Sequence, residues 1–256
     1  MAGGGIDIDV TIGDDSVATI EIRRPPNNFF DIGLIDALAA GIAELDADPR
    51  CRAIVLCSAG KHFCAGADFS SPSDAPATDR HLYDAAVDLF ATATPVVAAV
   101  QGAAIGGGLG LACFADFRIA APEARFSANF ARLGFHHGFG LTVTLPALVG
   151  QQRALDLLYT GRRIDGKEAT AIGLADRLAP LAEVRSEAHA FAADIAASAP
   201  LAVTSIRQTM RGDLTDRIRI ATDRERSEQD RLRRTADWRE GVAAMTERRP
   251  PRFTGA

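Results

Sequence analysis

The sequence predicts an α/β fold on three observations. Short apolar, β-branched runs alternate with stretches of helical periodicity from residue 8 onward. Thr94–Asp116, TPVVAAVQGAAIGGGLGLACFAD, opens as a strand and passes through Gly106-Gly107-Gly108 into an apolar helix. Near residue 200 the alternation gives way to almost continuous helix. A chain of 256 residues buries a sizeable core as one unit. The natural division is a core over 1–199 and an appended helical region over 200–256. No internal repeat or linker splits the chain further.

Taken in order, Ile8–Ile12 and Val17–Ile22 read as two strands around the Gly13-Asp14-Asp15-Ser16 turn. Arg23-Arg24-Pro25-Pro26 ends that hairpin, and its basic pair is either a solvated strand end or a phosphate contact. A helix follows from an Asp31 N-cap, because Ile35, Leu38, Ile42 and Leu45 keep helical spacing. Asp48-Pro49 stops it. Arg52–Cys57 is a short buried strand leading into the loop GKHFCAGADF and the polar run 70–79, which reads as a lid or an ordinary surface loop. Leu82, Ala86, Leu89 and Phe90 share one helix face. Past the central stretch, Phe117–Ala120 and Arg125–Ser127 are short strands, and LGFHHGFG is a glycine-punctuated turn. Helices are expected over Gln151–Tyr159, after Asp165, over Glu183–Ala197 and over Leu201–Met210. The mixed charges of Arg211–Arg234 mark a solvated helix face. Trp238, Val242 and Met245 form a packing stripe on a last helix.

The central stretch carries the chemistry. The first N–H groups of a helix lack internal partners, and glycines let a ligand approach them closely. Such a site holds a phosphate, or a carbonyl oxygen that becomes negative during reaction. A P-loop needs Lys and Ser or Thr after its last glycine, and none follows. A dinucleotide fingerprint starting at Gly106 meets Leu111 where a third small residue belongs. The carbonyl reading gains from both failures.

Composition narrows the class. Apolar residues make up 47% and charged residues 24%, as in an ordinary globule, and the net charge of −5 argues against a duplex nucleic-acid partner. Only two of the 28 basic residues are lysine. Cys51, Cys57, Cys64 and Cys113 show no metal-finger spacing, which points to reduced thiols and a cytoplasmic setting without a metal. The N-terminus has acids and no apolar core, so it does not read as a signal peptide. Val96–Ala115 is long enough to mimic a membrane span, but its glycines and β-branched first half favour a buried strand–helix pair.

Three segments, HFCAGADF (62–69), VQGAAIGGGLGLACFADFRIA (100–120) and EGVAAMTERRPPRFTG (240–255), together resemble the crotonase superfamily, the enoyl-CoA hydratase/isomerase family. The resemblance runs in order over nearly the whole chain. It implies a spiral of ββα units with C-terminal helices that mediate homotrimers and dimers of trimers. It also implies an acyl-CoA substrate, coenzyme A arriving as part of that substrate, and no prosthetic group. The thioester oxygen is expected between the backbone N–H groups of Ala67 and Gly107. Ala65, Gly66, Asp68 and Phe69 are expected along the CoA, Gly106 beside the oxyanion donors, and Arg24, Arg23, Arg248 or Arg249 near its phosphates.

The sequence departs from the family at the acid/base pair. Carried across without gaps, the two hydratase glutamates fall on Gly110 and Phe130, neither of which handles a proton. The two positions are expected to leave part of the pocket roomier and part more apolar. His136 and His137, in the turn where some relatives place a catalytic aspartate near Gly138, are the substitute acid/base candidates. Tyr83 stands where dehalogenating relatives place a histidine and is expected to pack in the core or line the acyl pocket. Cys64 lacks a partner base, and two adjacent histidines make a poor metal site. The reading is an enolate-forming acyl-CoA enzyme with a non-standard acid/base. The alternatives are a non-catalytic acyl-CoA carrier or sensor and, more weakly, a thioester hydrolase or dehalogenase-like enzyme.

Overall fold

The structure is a computed structural model that describes residues 7–68 and 80–256. Phe69 and the candidate lid 70–79 lie outside the described residues. The first half of the chain forms β1 (Ile8–Ile12), β2 (Val17–Ile22), α1 (Ile32–Ala47), β3 (Ala53–Ser58), α2 (Leu82–Phe90) and β4 (Val96–Val100). Then come β5 (Ala103–Ile105), α3 (Gly107–Phe114), β6 (Phe117–Ala120), β7 (Arg125–Ser127), α4 (Leu141–Val149) and α5 (Gln151–Thr160). The rest comprises β8 (Ile164–Asp165), α6 (Gly166–Ala171), β9 (Arg177–Leu178), α7 (Val184–Ala196), α8 (Pro200–Arg211), α9 (Leu214–Leu232) and α10 (Ala236–Thr246).

The strands make two sheets, one in the order β1-β2-β3-β4-β6-β9 and one in the order β5-β7-β8. In the larger sheet only the β1–β2 hairpin is antiparallel. Its inner strands are buried on both faces, and the period-2 alternation sorts their side chains. Ile20, Ile22, Ile54, Leu56, Val96 and Ala98 enter the main core with Leu34, Ile35 and Leu38 of α1. Val17, Ala53, Val55, Val97, Ala99 and Ile119 face the other way, against Val184, Ala188, Ala192 and Ala196 of α7. The four-residue spacing on α7 aligns a stripe of mostly alanine, which lets that helix lie close to the sheet.

The segment of membrane-span length is divided in three, β4, β5 and α3, by backbone that no single helix would tolerate. A Cβ at Gly102, between β4 and β5, would sit 2.1 Å from the Lys61 carbonyl oxygen. Among the described residues no single helix is long and apolar enough to cross a membrane.

Helix α4 is an addition to the sequence reading, which after the LGFHHGFG turn expects helix to resume only at Gln151. Gly140 before it, Gly150 after it and Pro146 within it all read locally as turn signals. Its N-terminus is capped from far along the chain. The Glu225 carboxylate of α9 accepts from Gly140 N at 2.9 Å and from Thr142 N at 3.0 Å. The 200–256 stretch is helical and is fastened to the sheets in the same manner. Arg207 and Arg211 of α8 both reach Asp116, whose carboxylate also accepts the N–H of Val96 at the start of β4.

Candidate functional site

The site begins with one isolated bridge. Cys64 pairs with Ala104 of β5, Cys64 N–H bonding Ala103 O at 2.8 Å and Ile105 N–H bonding Cys64 O at 3.0 Å. Two segments held side by side in parallel here run on together, and Ala67 and Gly107 each lie three residues past the bridged pair. The loop carrying Ala67 is held again by Phe30 N–H, which bonds the Gly66 carbonyl at 3.0 Å. Gly66 (φ +97°) and Gly106 (φ +57°) turn the two chains in a region that favours glycine. A Cβ at Gly107 would lie 2.2 Å from Phe30 Cζ, and one at Gly108 would lie 2.1 Å from the Cys64 carbonyl oxygen. Two of the three glycines are therefore required by close packing rather than by backbone angle.

Ala67 and Gly107 both line a cavity of about 380 Å³. Gly107 opens α3, so its N–H is one that the helix leaves unpaired. Among the described residues neither the Ala67 N–H nor the Gly107 N–H has an acceptor. The cavity is otherwise largely apolar, with Phe30, Phe130, Phe135, Phe139, Leu82 and Leu133 in its walls. Polar groups enter it from Asp68, His81, Tyr83, Asn129, Gln229 and Arg233.

The expected site residues divide into those the structure brings together and those it does not. Ala65, Gly66, Ala67, Asp68, Tyr83, Gly106, Gly107 and Phe130 all line the cavity. Gly110 does not, which corrects the expectation of a roomier pocket. A Cβ there would meet Phe139 Cβ at 2.5 Å, so the Phe139 ring already fills the space beside it. Phe139 holds φ +62° and packs edge-on against Phe30 with ring centroids 5.7 Å apart.

His136 and His137 also lie off the cavity, which corrects their place as its acid/base candidates. Their rings stack at 4.1 Å, and His137 lies 6.5 Å from the Phe130 ring. His136 Nδ1 contacts the His137 carbonyl, while His137 Nε2 reaches Thr142 Oγ1 at 2.8 Å. Thr142 donates in turn to Glu225 Oε1 at 2.6 Å, so His137 Nε2 supplies the proton of its own bond to Thr142. Burial drives its pKa down to about 4. Burial acts on Glu225 in the opposite sense, raising its pKa against three hydrogen bonds that favour the carboxylate. The 3.9 Å His137–Glu225 approach is thus a threonine-bridged contact rather than an ion pair.

Arg24 is used structurally, held by Asp7 and by Asp31 at 2.8 Å, and lies outside the cavity walls. Arg249 is held by Glu240 and Glu247. Cys64 is fully buried, and burial pushes its thiol up to about 12, so it has no thiolate to offer near neutrality.

Among the cavity groups that escape the sequence reading are His81, Gln229, Arg233 and Met245. His81 caps α2, its Nδ1 accepting the Tyr83 N–H at 3.1 Å. Burial lowers its pKa, which favours the neutral ring, and with Nδ1 accepting, the proton of that neutral ring sits on Nε2. Gln229 and Arg233 arrive from the far end of α9, and Met245 from α10. His81 had a local signal, since it stands at the start of the helix that carries Tyr83. The other three had none, because only packing turns α9 and α10 toward the cavity.

Known proteins resemble this chain over nearly its whole length. The family described as enoyl-CoA hydratase/isomerase matches residues 13–256. A probable enoyl-CoA hydratase of Mycobacterium tuberculosis is 33% identical over 249 residues, covering 94% of this chain and 95% of its own. Among solved structures, the enoyl-CoA hydratase/isomerase of Pseudoalteromonas atlantica has a TM-score of 0.88 at 30% identity, covering 97% of this chain and 100% of its own. The carnitinyl-CoA hydratase of Mycobacterium avium has a TM-score of 0.85 at 27% identity, covering 98% and 99%.

Proposed function

The chain belongs to the enoyl-CoA hydratase/isomerase family, and from that premise we propose that it is an acyl-CoA enzyme that holds its substrate's enolate on the Ala67 and Gly107 amides. The single observation that carries the proposal is the pair of unpartnered N–H groups, each three residues past the Cys64–Ala104 bridge, that line one cavity. Loss of a proton beside a thioester moves charge onto the carbonyl oxygen. Fixed amides and the positive end of α3 favour that charge without reorganising. The acyl group then occupies the apolar walls, and coenzyme A comes with the substrate rather than as a resident group.

The proton-transfer group is a non-standard one. Gly110 and Phe130 stand where the family resemblance puts the hydratase glutamates. His81 Nδ1 is committed to its helix cap, which leaves the ring a donor through Nε2. Burial keeps the Tyr83 phenol protonated, and Arg233 is a cation. Asp68, at the exposed edge of the cavity, is the carboxylate among the described wall residues.

This shortage of bases favours a second reading, a non-catalytic acyl-CoA carrier or sensor. Steady-state turnover and equilibrium binding against enoyl-, 3-hydroxyacyl- and aryl-CoA thioesters separate the two. Ala67→Pro deletes one amide donor, whereas Ala67→Gly keeps it. The expected outcome is a loss of about 10²-fold or more in kcat for Ala67→Pro, with Ala67→Gly close to the parent. Equal turnover in both variants refutes the oxyanion role, and tight binding without any product selects the carrier. Release of free CoA or halide would mark the hydrolase or dehalogenase-like alternative.

The proposal includes self-association into trimers or dimers of trimers. Its support is a set of apolar side chains left in water on α8 and α9, with Leu201 86%, Met210 80% and Ile220 72% exposed.

A further inference from the structure

At the far end of α3 from Gly107, a buried arginine has a donor with nothing to bond. Arg207 is 8% exposed; its Nε bonds the Asp116 carboxylate at 3.0 Å and its Nη1 donates to the Thr92 carbonyl. Among the described residues its Nη2 has no acceptor, and that atom is closed off from water. Arg211, one turn further along α8, has an acceptor for every nitrogen. Its Nε bonds Asp116 at 3.0 Å, Nη1 the Phe90 carbonyl at 3.5 Å and Nη2 the Phe114 carbonyl at 2.8 Å. Two guanidinium groups thus share one carboxylate, which leaves this cluster one positive charge in surplus. Burial pulls the Arg211 pKa down, and the charges of Arg207 and Arg118 add to that against Asp116. A buried cation short of a hydrogen bond and of a counter-charge is costly.

Both arginines line a groove of about 490 Å³ between α7 and α8. Phe117, Phe191, Ile195, Val203, Ile206 and Met210 give it apolar walls, and it shares no wall residue with the acyl cavity. Its carboxylates are Asp116, already divided between the two arginines, and Asp194, which is exposed to water that screens its repulsion. Apolar walls around a few fixed polar groups are the make-up of a small-molecule site. We infer that this groove binds a monocarboxylate with an apolar body, a medium-chain alkanoate, with the carboxylate turned toward Arg207. A neutral amphiphile leaves both the surplus charge and Nη2 unanswered, and a cationic one adds to the surplus. A carboxylate answers both. To reach Nη2 it has to displace a wall side chain, and Ile206 and Met210 are exposed and free to swing. Met210 is also among the apolar residues that support self-association, so the groove has to stay open in the assembly.

Octanoate, 1-octanol and octylammonium, which differ only in the head group, are titrated calorimetrically into the full chain and its variants, each checked by thermal unfolding. The wild type is expected to prefer octanoate over octanol by about tenfold and to bind octylammonium most weakly. Arg207→Lys keeps a cation beside Asp116 but withdraws Nη2, and should weaken octanoate about tenfold while holding octanol within about twofold. Ile206→Glu sets a like charge in the wall at a position 63% exposed, with Ile206→Gln as its uncharged control. Octanoate should bind the Glu variant about tenfold more weakly than the Gln variant. This pair leaves the Asp116 cluster intact, so it carries the test alone if Arg207→Lys does not fold. Octanoate that binds no better than octanol, or as tightly to Ile206→Glu as to Ile206→Gln, overturns the inference. Refusal of all three probes by a chain that light scattering shows to be associated overturns it too, and assigns the groove to a second copy. Each of these results leaves the acyl-thioester reading untouched.

Discussion

At the scale of single residues, function here turns on which positions have room for a side chain. Glycine at 110 is the clearest case. From the motif it reads as a vacated carboxylate position, yet the volume beside it belongs to Phe139. Alanine would gain about 1 kcal/mol of helix propensity over glycine there. It would also force a Cβ within 2.5 Å of Phe139 Cβ, at two well-packed centres with little freedom to yield. Overpacking of this kind costs about 1–3 kcal/mol, so Gly110→Ala is expected to lose stability on balance. Urea denaturation reads the sign directly, and a more stable variant would show that the pocket behind α3 is open. Tyr83 and Gly138 repeat the pattern, with a side chain from α2 occupying space that the chain leaves free at 138.

At the scale of elements, the informative contact is the clasp between α4 and α9. Glu225 caps the α4 N-terminus and is linked to His137 through Thr142. This makes stability depend on pH with a definite sign. The His137 pKa falls from 6.5 to about 4 on folding because burial disfavours the imidazolium. Between those values the unfolded chain binds the proton and the folded one does not, so stability falls as pH drops from 6.5 toward 4. The contribution lost by pH 4 is about 3 kcal/mol. Glu225, with a raised pKa, acts in reverse above 4.5 and offsets part of this. His137→Gln should flatten the slope of unfolding free energy between pH 6.5 and 4.5. An unchanged slope would assign the acid sensitivity to other groups. The clasp also explains why α4 is hard to read locally, since its capping carboxylate lies more than 80 residues away in sequence.

At the scale of the whole molecule, the helical region beyond residue 200 does more than pack outside the core. Its α9 contributes Gln229 and Arg233 to the cavity and its α10 contributes Met245, so a boundary at 200 divides the chain without dividing the site. The Arg211–Arg234 stretch that reads as a solvated face has Glu225 and Gln229 buried on its other side. The apolar residues left exposed on α8 and α9 set an expectation for assembly. The protein should elute well above its 27.0 kDa chain mass in size-exclusion chromatography with light scattering. Met210→Glu should shift it toward that mass, because a charge in a desolvated interface is costly. A wild-type chain that runs as a monomer would overturn the proposal.

The sequence by itself determined the α/β class, most strand and helix positions, the family, and the pair of backbone segments at Ala67 and Gly107. Those features are local, written in hydrophobic period, in glycines and in short motifs that no distant residue needs to complete. Only the tertiary structure decided which side chains share the cavity. It left His136 and His137 out of the cavity wall, closed the space at Gly110 with Phe139, and brought in His81, Gln229, Arg233 and Met245. The physical reason is that a cavity wall is assembled from elements far apart in the chain, so its membership depends on packing and excluded volume rather than on neighbours in sequence.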